Sequence, residues 1–215
     1  MGLRFRDRSE AGQRLAEKLT QYTNREDVIV LALPRGGVPI GYEIARALHV
    51  PLDVFVVRKL GLPGHEELAM GALASGGVRV LNDEVVHMYG LTPRDIDRVA
   101  AVEQAELERR ERQYRGDREF PDLHGKTVIL VDDGLATGST MRVAVEALRL
   151  EGPSRIVVGV PVAARETCDA FRHVADEIVC VATPEPFYAV GLWYENFDQT
   201  TDDEVEELLN AAIRR

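Results

Sequence analysis

The stretch that most constrains this chain is Thr127–Thr140, TVILVDDGLATGST. Val128, Ile129, Leu130 and Val131 form a continuous apolar run of strand length, as in a parallel strand covered on both faces. The run ends in two adjacent carboxylates, Asp132 and Asp133. Gly134, Leu135 and Ala136 make a short turn, and Thr137-Gly138-Ser139-Thr140 opens a helix. Met141, Ala144, Val145 and Leu148 fall at helical spacing behind it. Strand, turn and helix in that order commit the neighbourhood to an α/β sheet.

The chemistry of this stretch suits a phosphate ester. N–H groups at a helix start lack internal partners and carry the positive end of the dipole, so they bind anions. Glycine at 138 lets a phosphate come close to the backbone, and Thr137, Ser139 and Thr140 add hydroxyl donors. The carboxylates stand at the carboxyl end of the strand, where open α/β sheets bind ligands, and they accept hydrogen bonds from sugar hydroxyls. Phosphate on one side and hydroxyls on the other describe a ribose phosphate. No Lys follows Gly138, so this is not a Walker loop. Taken alone, Asp132-Asp133-Gly134 also fits an ordinary βα turn.

The rest of the chain repeats the alternation. The spacing predicts a helix over 9–23 with Ser9 as cap, and a buried strand Val28–Leu33 ending in Pro34-Arg35-Gly36-Gly37. A helix over 38–48 follows, then a second buried strand, Leu52–Val57, ending in Arg58-Lys59. A right-handed crossover sets both loops at one sheet edge with Asp132 and Asp133. Gly36-Gly37 points to unusual backbone or close approach of a ligand; a tight turn with a surface Arg35 is the plainer reading. In residues 60–91 the glycines interrupt any long element, with a short strand at Val78–Leu81. His65 there reads as an exposed loop histidine. Thr92-Pro93 starts a long helix over 93–115, laced with Glu106/Arg110, Glu108/Arg112 and Glu111/Arg115 pairs. It reads as a solvated structural element or one side of a dimer interface. Strands follow at Arg155–Val160 and Glu177–Val181, with a helix around Ala164–Val174 between them. Last come an aromatic segment, TPEPFYAVGLWYENF, and a helix capped by Thr201 with Glu204 three residues on. The fold class is α/β: a doubly wound, mostly parallel sheet of about five strands.

The formal net charge of −10 argues against a nucleic-acid partner. No apolar run nears the ~20 residues of a membrane span, and MGLRFRDRSE has no apolar leader core. Cys168 and Cys180 form no metal-ligand pattern and read as buried reduced thiols, so a cytoplasmic location is expected.

The central run resembles the signature of the type I phosphoribosyltransferases, in which an acid pair binds the ribose hydroxyls of phosphoribosyl pyrophosphate (PRPP) and the following loop binds its 5′-phosphate. The resemblance implies a single domain over 1–215 with a flexible lid near residues 60–80 and a base-binding hood over 183–200. The activity it implies is transfer of phosphoribose to a nitrogen of a nucleobase or related acceptor, releasing pyrophosphate. Arg35, Lys59, Asp132 and Asp133 are the expected catalytic group. Gly36, Gly37, Arg58, Gly134, Ala136, Thr137, Gly138, Ser139 and Thr140 are expected around PRPP, with a non-proline cis peptide near Arg35–Gly36. Mg²⁺ is the expected cofactor, met by Asp132 and Asp133 indirectly, through ribose hydroxyls or water. A homodimer is the expected assembly. Phe187, ahead of Val190-Gly191, resembles the ring that stacks on a base, though core filling or a dimer contact would equally explain these aromatics. Where the enzymes of 6-oxopurines carry an Asp, this chain has Ala136, and no aspartate matches clearly after Gly191. That weighs against hypoxanthine or guanine and leaves the acceptor open. A non-catalytic PRPP- or nucleotide-binding regulator of the same fold is the competing reading.

Overall fold

The structure is a computed structural model that describes residues 4–214; Met1–Leu3, the start of the leader reading, lie outside them. Five strands, β1 (Val28–Ala32), β2 (Leu52–Val54), β6 (Thr127–Val131), β7 (Arg155–Val162) and β8 (Glu177–Ala182), form one sheet in the order β2-β1-β6-β7-β8. Every pairing is parallel.

Period-two alternation sorts the side chains to two faces. Val28, Val30, Ala32, Ile129, Val131 and Val157 pack under α1 (Arg8–Ala16), α2 (Gly37–Leu48) and α7 (Asp202–Ile213). Ile29, Leu31, Val128, Leu130, Ile156 and Val158 pack under α5 (Ser139–Leu150) and α6 (Arg165–Phe171). Strands buried on both faces have no polar side to show, which is why their sequences run as unbroken apolar blocks.

Three local expectations change. Helix α1 ends at Ala16 and is capped by Asp7, whose carboxylate accepts from Glu10 N at 2.8 Å; the Ser9 hydroxyl instead donates to Glu43 at 2.7 Å. The apolar residues beyond Ala16 continue as a turn and a short 3₁₀ segment, Thr20–Tyr22, whose Tyr22 is buried. The second strand stops at Val54. Phe55 still donates to Ala32 O, but Val56 N turns to the Ser75 hydroxyl.

From there the chain builds a second sheet, missed in the sequence. It comprises β3 (Val57–Leu62), β4 (His65–Ala74) and β5 (Val78–Leu81), antiparallel in the order β3-β4-β5. Glycines hid it. Gly71 lies inside β4 because a Cβ there would collide with Val80 O on β5, so the residue that reads as an interruption permits close pairing. The strand at Val78–Leu81 is where the sequence places it. A short helix, α3 (Asp83–Met88), leads into α4 (Pro93–Arg115), which begins at Thr92-Pro93 with a reciprocal capping box. Glu106–Arg110 and Glu111–Arg115 pair as spaced.

The C-terminal end of α4 is not merely solvated. Arg115 is buried and bonds Asp53 on β2 at 3.0 Å and Val54 O at 3.0 Å, tying the helix to the sheet edge. Cys168 on α6 and Cys180 on β8 are paired as a disulfide, where two reduced thiols are expected. Sequence separation concealed that α6 packs directly over β8. Support for a cytoplasmic location from free thiols is withdrawn with that expectation. Among the described residues no helix is long and apolar enough to cross a membrane.

Candidate active site

Parallel strand order brings two loops together at the carboxyl edge. Loop 33–37 leaves β1, loop 132–138 leaves the adjacent β6, and Leu33 N donates to Val131 O between them. Contact between the loops is intimate. A Cβ on Gly37 would lie 2.7 Å from Val131 O, and one on Gly36 would run into the Asp133 carboxylate. The paired glycines of PRGG are thus needed where one loop crosses the acids of the other. The cis peptide of this loop is Pro34–Arg35, one bond earlier than expected. Arg35 is one-third exposed and leans towards the start of α7, with Nη1 3.8 Å from Asp202 Oδ1.

Asp132 accepts the Asp133 backbone N–H at 2.8 Å. Burial, and then the Asp133 charge, push its carboxyl well above the usual carboxylate range. Burial raises Asp133 too, and the Arg8 guanidinium opposes that rise. Arg8 was not a candidate in the sequence. Its Nε donates to Asp133 Oδ2 at 2.9 Å, from a position 125 residues away. Tyr194 is one of several aromatics in the C-terminal segment. It is buried, and its hydroxyl donates to the Asp133 carbonyl at 2.6 Å. No spacing rule links such pairs; the only hints were an arginine-rich N-terminus and a tyrosine next to the tryptophan.

Gly138 caps α5 with φ +73°, a left-handed conformation that glycine takes without penalty. A Cβ there would meet Phe171 at 2.6 Å, so the position is closed to side chains from the protein side as well. Gly134 packs on Val190 in the same way. Thr137, Ser139 and Thr140 stand at the helix start, and the Thr137 and Ser139 hydroxyls lie 3.1 Å apart. The Ala136 carbonyl accepts from the Thr167 hydroxyl at 2.6 Å, which ties this loop to α6.

The structure does not gather every candidate. Arg58 and Lys59 lie in β3 and not at the end of a parallel strand. Arg58 is turned onto α4 by Glu103, 2.6 Å from Nη2, and Lys59 Nζ lies 3.9 Å from Glu67 within the hairpin. The expected strand end failed because the chain had already left the parallel sheet. Phe187 is half-buried and packs on the same core as Val190, Trp193 and Phe197. His65 is exposed near the Tyr89 ring. Among the described residues no cluster of three or more His, Cys, Asp or Glu could hold a metal.

A loop of glycines crossing an acid pair beside a helix N-terminus, at the carboxyl edge of a parallel sheet, makes this an open α/β protein with its loops gathered where such sheets take ligands. Residues 6–192 match the phosphoribosyl transferase domain family, and the chain belongs to it. Two curated proteins of Mycobacterium tuberculosis, strains CDC 1551 / Oshkosh and ATCC 25618 / H37Rv, are provisionally named phosphoribosyl transferases. Each is 46% identical over 98% of this chain, but the chain spans only 47% of their length. The crystal structure of TT1426 from Thermus thermophilus is 42% identical, with a TM-score of 0.83 over 96% of this chain and 97% of that one.

Proposed function

We propose that the chain transfers the phosphoribosyl group of PRPP to a nitrogen of a nucleobase or related acceptor, releasing pyrophosphate. The observation that carries this is Gly36 seated against the Asp133 carboxylate beside the start of α5. One small volume then offers backbone N–H groups and hydroxyls from 137–140 for the 5′-phosphate and acids for the ribose hydroxyls. The Pro34–Gly37 loop supplies backbone and Arg35 for the pyrophosphate.

In the reaction the bond from the anomeric carbon to pyrophosphate breaks, and its electron pair leaves with the pyrophosphate. The nitrogen lone pair forms the new bond, and the proton it sheds passes to solvent. Such a step develops positive charge on the sugar and negative charge on the leaving group. Asp132 and Asp133 orient the ribose and face the first; Arg35 faces the second. Two neighbouring carboxylates, with no larger cluster of metal-ligating side chains among the described residues, fit Mg²⁺ held mainly by waters and substrate oxygens. When bound, that ion would neutralise the leaving pyrophosphate.

Arg58 and Lys59 join the site in this proposal only when the hairpin of residues 60–80 closes as a lid and excludes water. The aromatic segment 183–200 is the proposed hood, with Phe187 offering its open face to the acceptor. Ala136 has no side-chain acid for a base proton, which keeps 6-oxopurines out of favour. One domain, a homodimer and a cytoplasmic location, as suits a highly charged sugar donor, complete the proposal.

The test is PRPP-dependent pyrophosphate release with Mg²⁺, screened against purines, pyrimidines and other ring nitrogens. Release with one acceptor supports the transferase. Calorimetric PRPP binding without release from any acceptor favours the regulatory reading.

A further inference from the structure

Asp133 is gripped from the N-terminus and from the aromatic segment at once. Arg8, the first residue of α1, bonds Asp133 Oδ2 through Nε at 2.9 Å and the Asp198 carbonyl through Nη1 at 2.6 Å. Its guanidinium lies over the Phe197 ring, 4.0 Å from the centroid. Only 12% of its side chain and 16% of that of Asp133 are exposed. Tyr194, whose ring sits between Phe5 and Phe197, holds the Asp133 carbonyl at 2.6 Å. Gly36 lies against the same Oδ2.

Resting on the ribose-phosphate reading above, we propose that Arg8 is a positioning residue that presents Asp133 to the sugar. With Oδ2 committed to the guanidinium, Oδ1 is the oxygen that accepts from a ribose hydroxyl. The ion pair and its second bond to the Asp198 carbonyl hold that carboxylate in one rotamer. A guanidinium suits the task because its planar fork can bond a carboxylate and a carbonyl in different directions while stacking on a ring. A lysine would supply charge without the second bond or the stack. The same arginine links the end of the aromatic segment to the ribose acid, so sugar orientation depends on that segment being docked.

The experiment is calorimetric titration of the full chain with PRPP and, separately, with inorganic pyrophosphate, which has no sugar hydroxyls. Arg8→Gln is expected to weaken PRPP binding about 10- to 100-fold, the scale of a lost charged hydrogen bond. Pyrophosphate binding should stay within a factor of about three, because only a screened, longer-range charge effect then remains. Arg8→Lys should recover part of the PRPP loss. Tyr194→Phe, which keeps the ring packing, should weaken PRPP about 3- to 10-fold and leave pyrophosphate alone, so the assignment stays testable even if Arg8→Gln does not fold. Equal losses for both ligands would mean that Arg8 only holds the fold together, and unchanged PRPP affinity would remove it from the site; either overturns the assignment. Failure of the wild-type chain to bind PRPP would sink the ribose-phosphate reading itself, whereas normal binding that survives Arg8→Gln sinks the positioning role alone.

Discussion

The glycines at the carboxyl edge of the parallel sheet and the turn glycine of the hairpin are required for opposite reasons. At the carboxyl edge of the parallel sheet, Gly36, Gly37, Gly134 and Gly138 all lie where a Cβ would strike protein atoms. In the antiparallel hairpin sheet, the turn residue Gly64 has φ +80° and nothing within 4 Å of a Cβ. The first set is enforced by crowding between elements, the second only by local backbone. Basic residues divide likewise. Arg8 is half-buried against an acid of the site, while Arg58 is spent on Glu103 of the neighbouring helix. A parallel edge converges several loops on one spot, whereas the hairpin's Arg58 is taken up by the helix packed beside it.

The largest expected effect that could break this contrast is at Gly138. Gly138→Val should cost about 2–5 kcal/mol, combining left-handed strain with overpacking against Phe171, whereas Gly64→Ala should cost only about 1 kcal/mol from strain. Urea denaturation of both variants reads the difference, and equal losses would erase the distinction. Next is the acid pair. Asp132→Asn combined with Asp133→Asn should weaken PRPP binding on the order of 100-fold without unfolding the protein. Unchanged affinity in a titration would remove the ribose assignment.

A smaller effect sharpens the division between the arginines. Arg35→Ala should lower turnover about tenfold and PRPP affinity less, because it acts on the departing pyrophosphate. Arg58→Ala should change PRPP affinity less than about threefold, since PRPP meets the open hairpin, where the partner of Arg58 is Glu103. Steady-state kinetics beside titration would show the opposite ranking if the hairpin held the pyrophosphate.

The smallest concerns stability and pH. A carboxyl raised by burial favours the folded state when protonated, so its ionised form costs stability above the folded-state value, and that cost is relieved as pH falls through it. Asp132→Asn should therefore raise Tm by about 2–4 °C at neutral and alkaline pH, with the gain shrinking as the solution is acidified. A constant gain across pH would mean that Asp132 is not destabilised by its own charge.

What the sequence determined by itself was local. Residues 127–140 carried their own strand, acid pair, turn and helix start, because backbone periodicity, helix termini and glycine geometry act over a few residues. The five parallel strands and the start of α4 were legible for the same reason. The error over β4 marks the limit of that reading, since Gly71 has its physical cause in a neighbouring strand. Partnership came instead from packing between distant elements. Arg8 meets Asp133 across 125 residues, Arg115 meets Asp53 across 62, and Cys168 meets Cys180 because α6 folds over β8. A side chain's partner depends on which helix the sheet packs beneath it, and that is settled by burying apolar faces throughout the chain, not by the residues beside it.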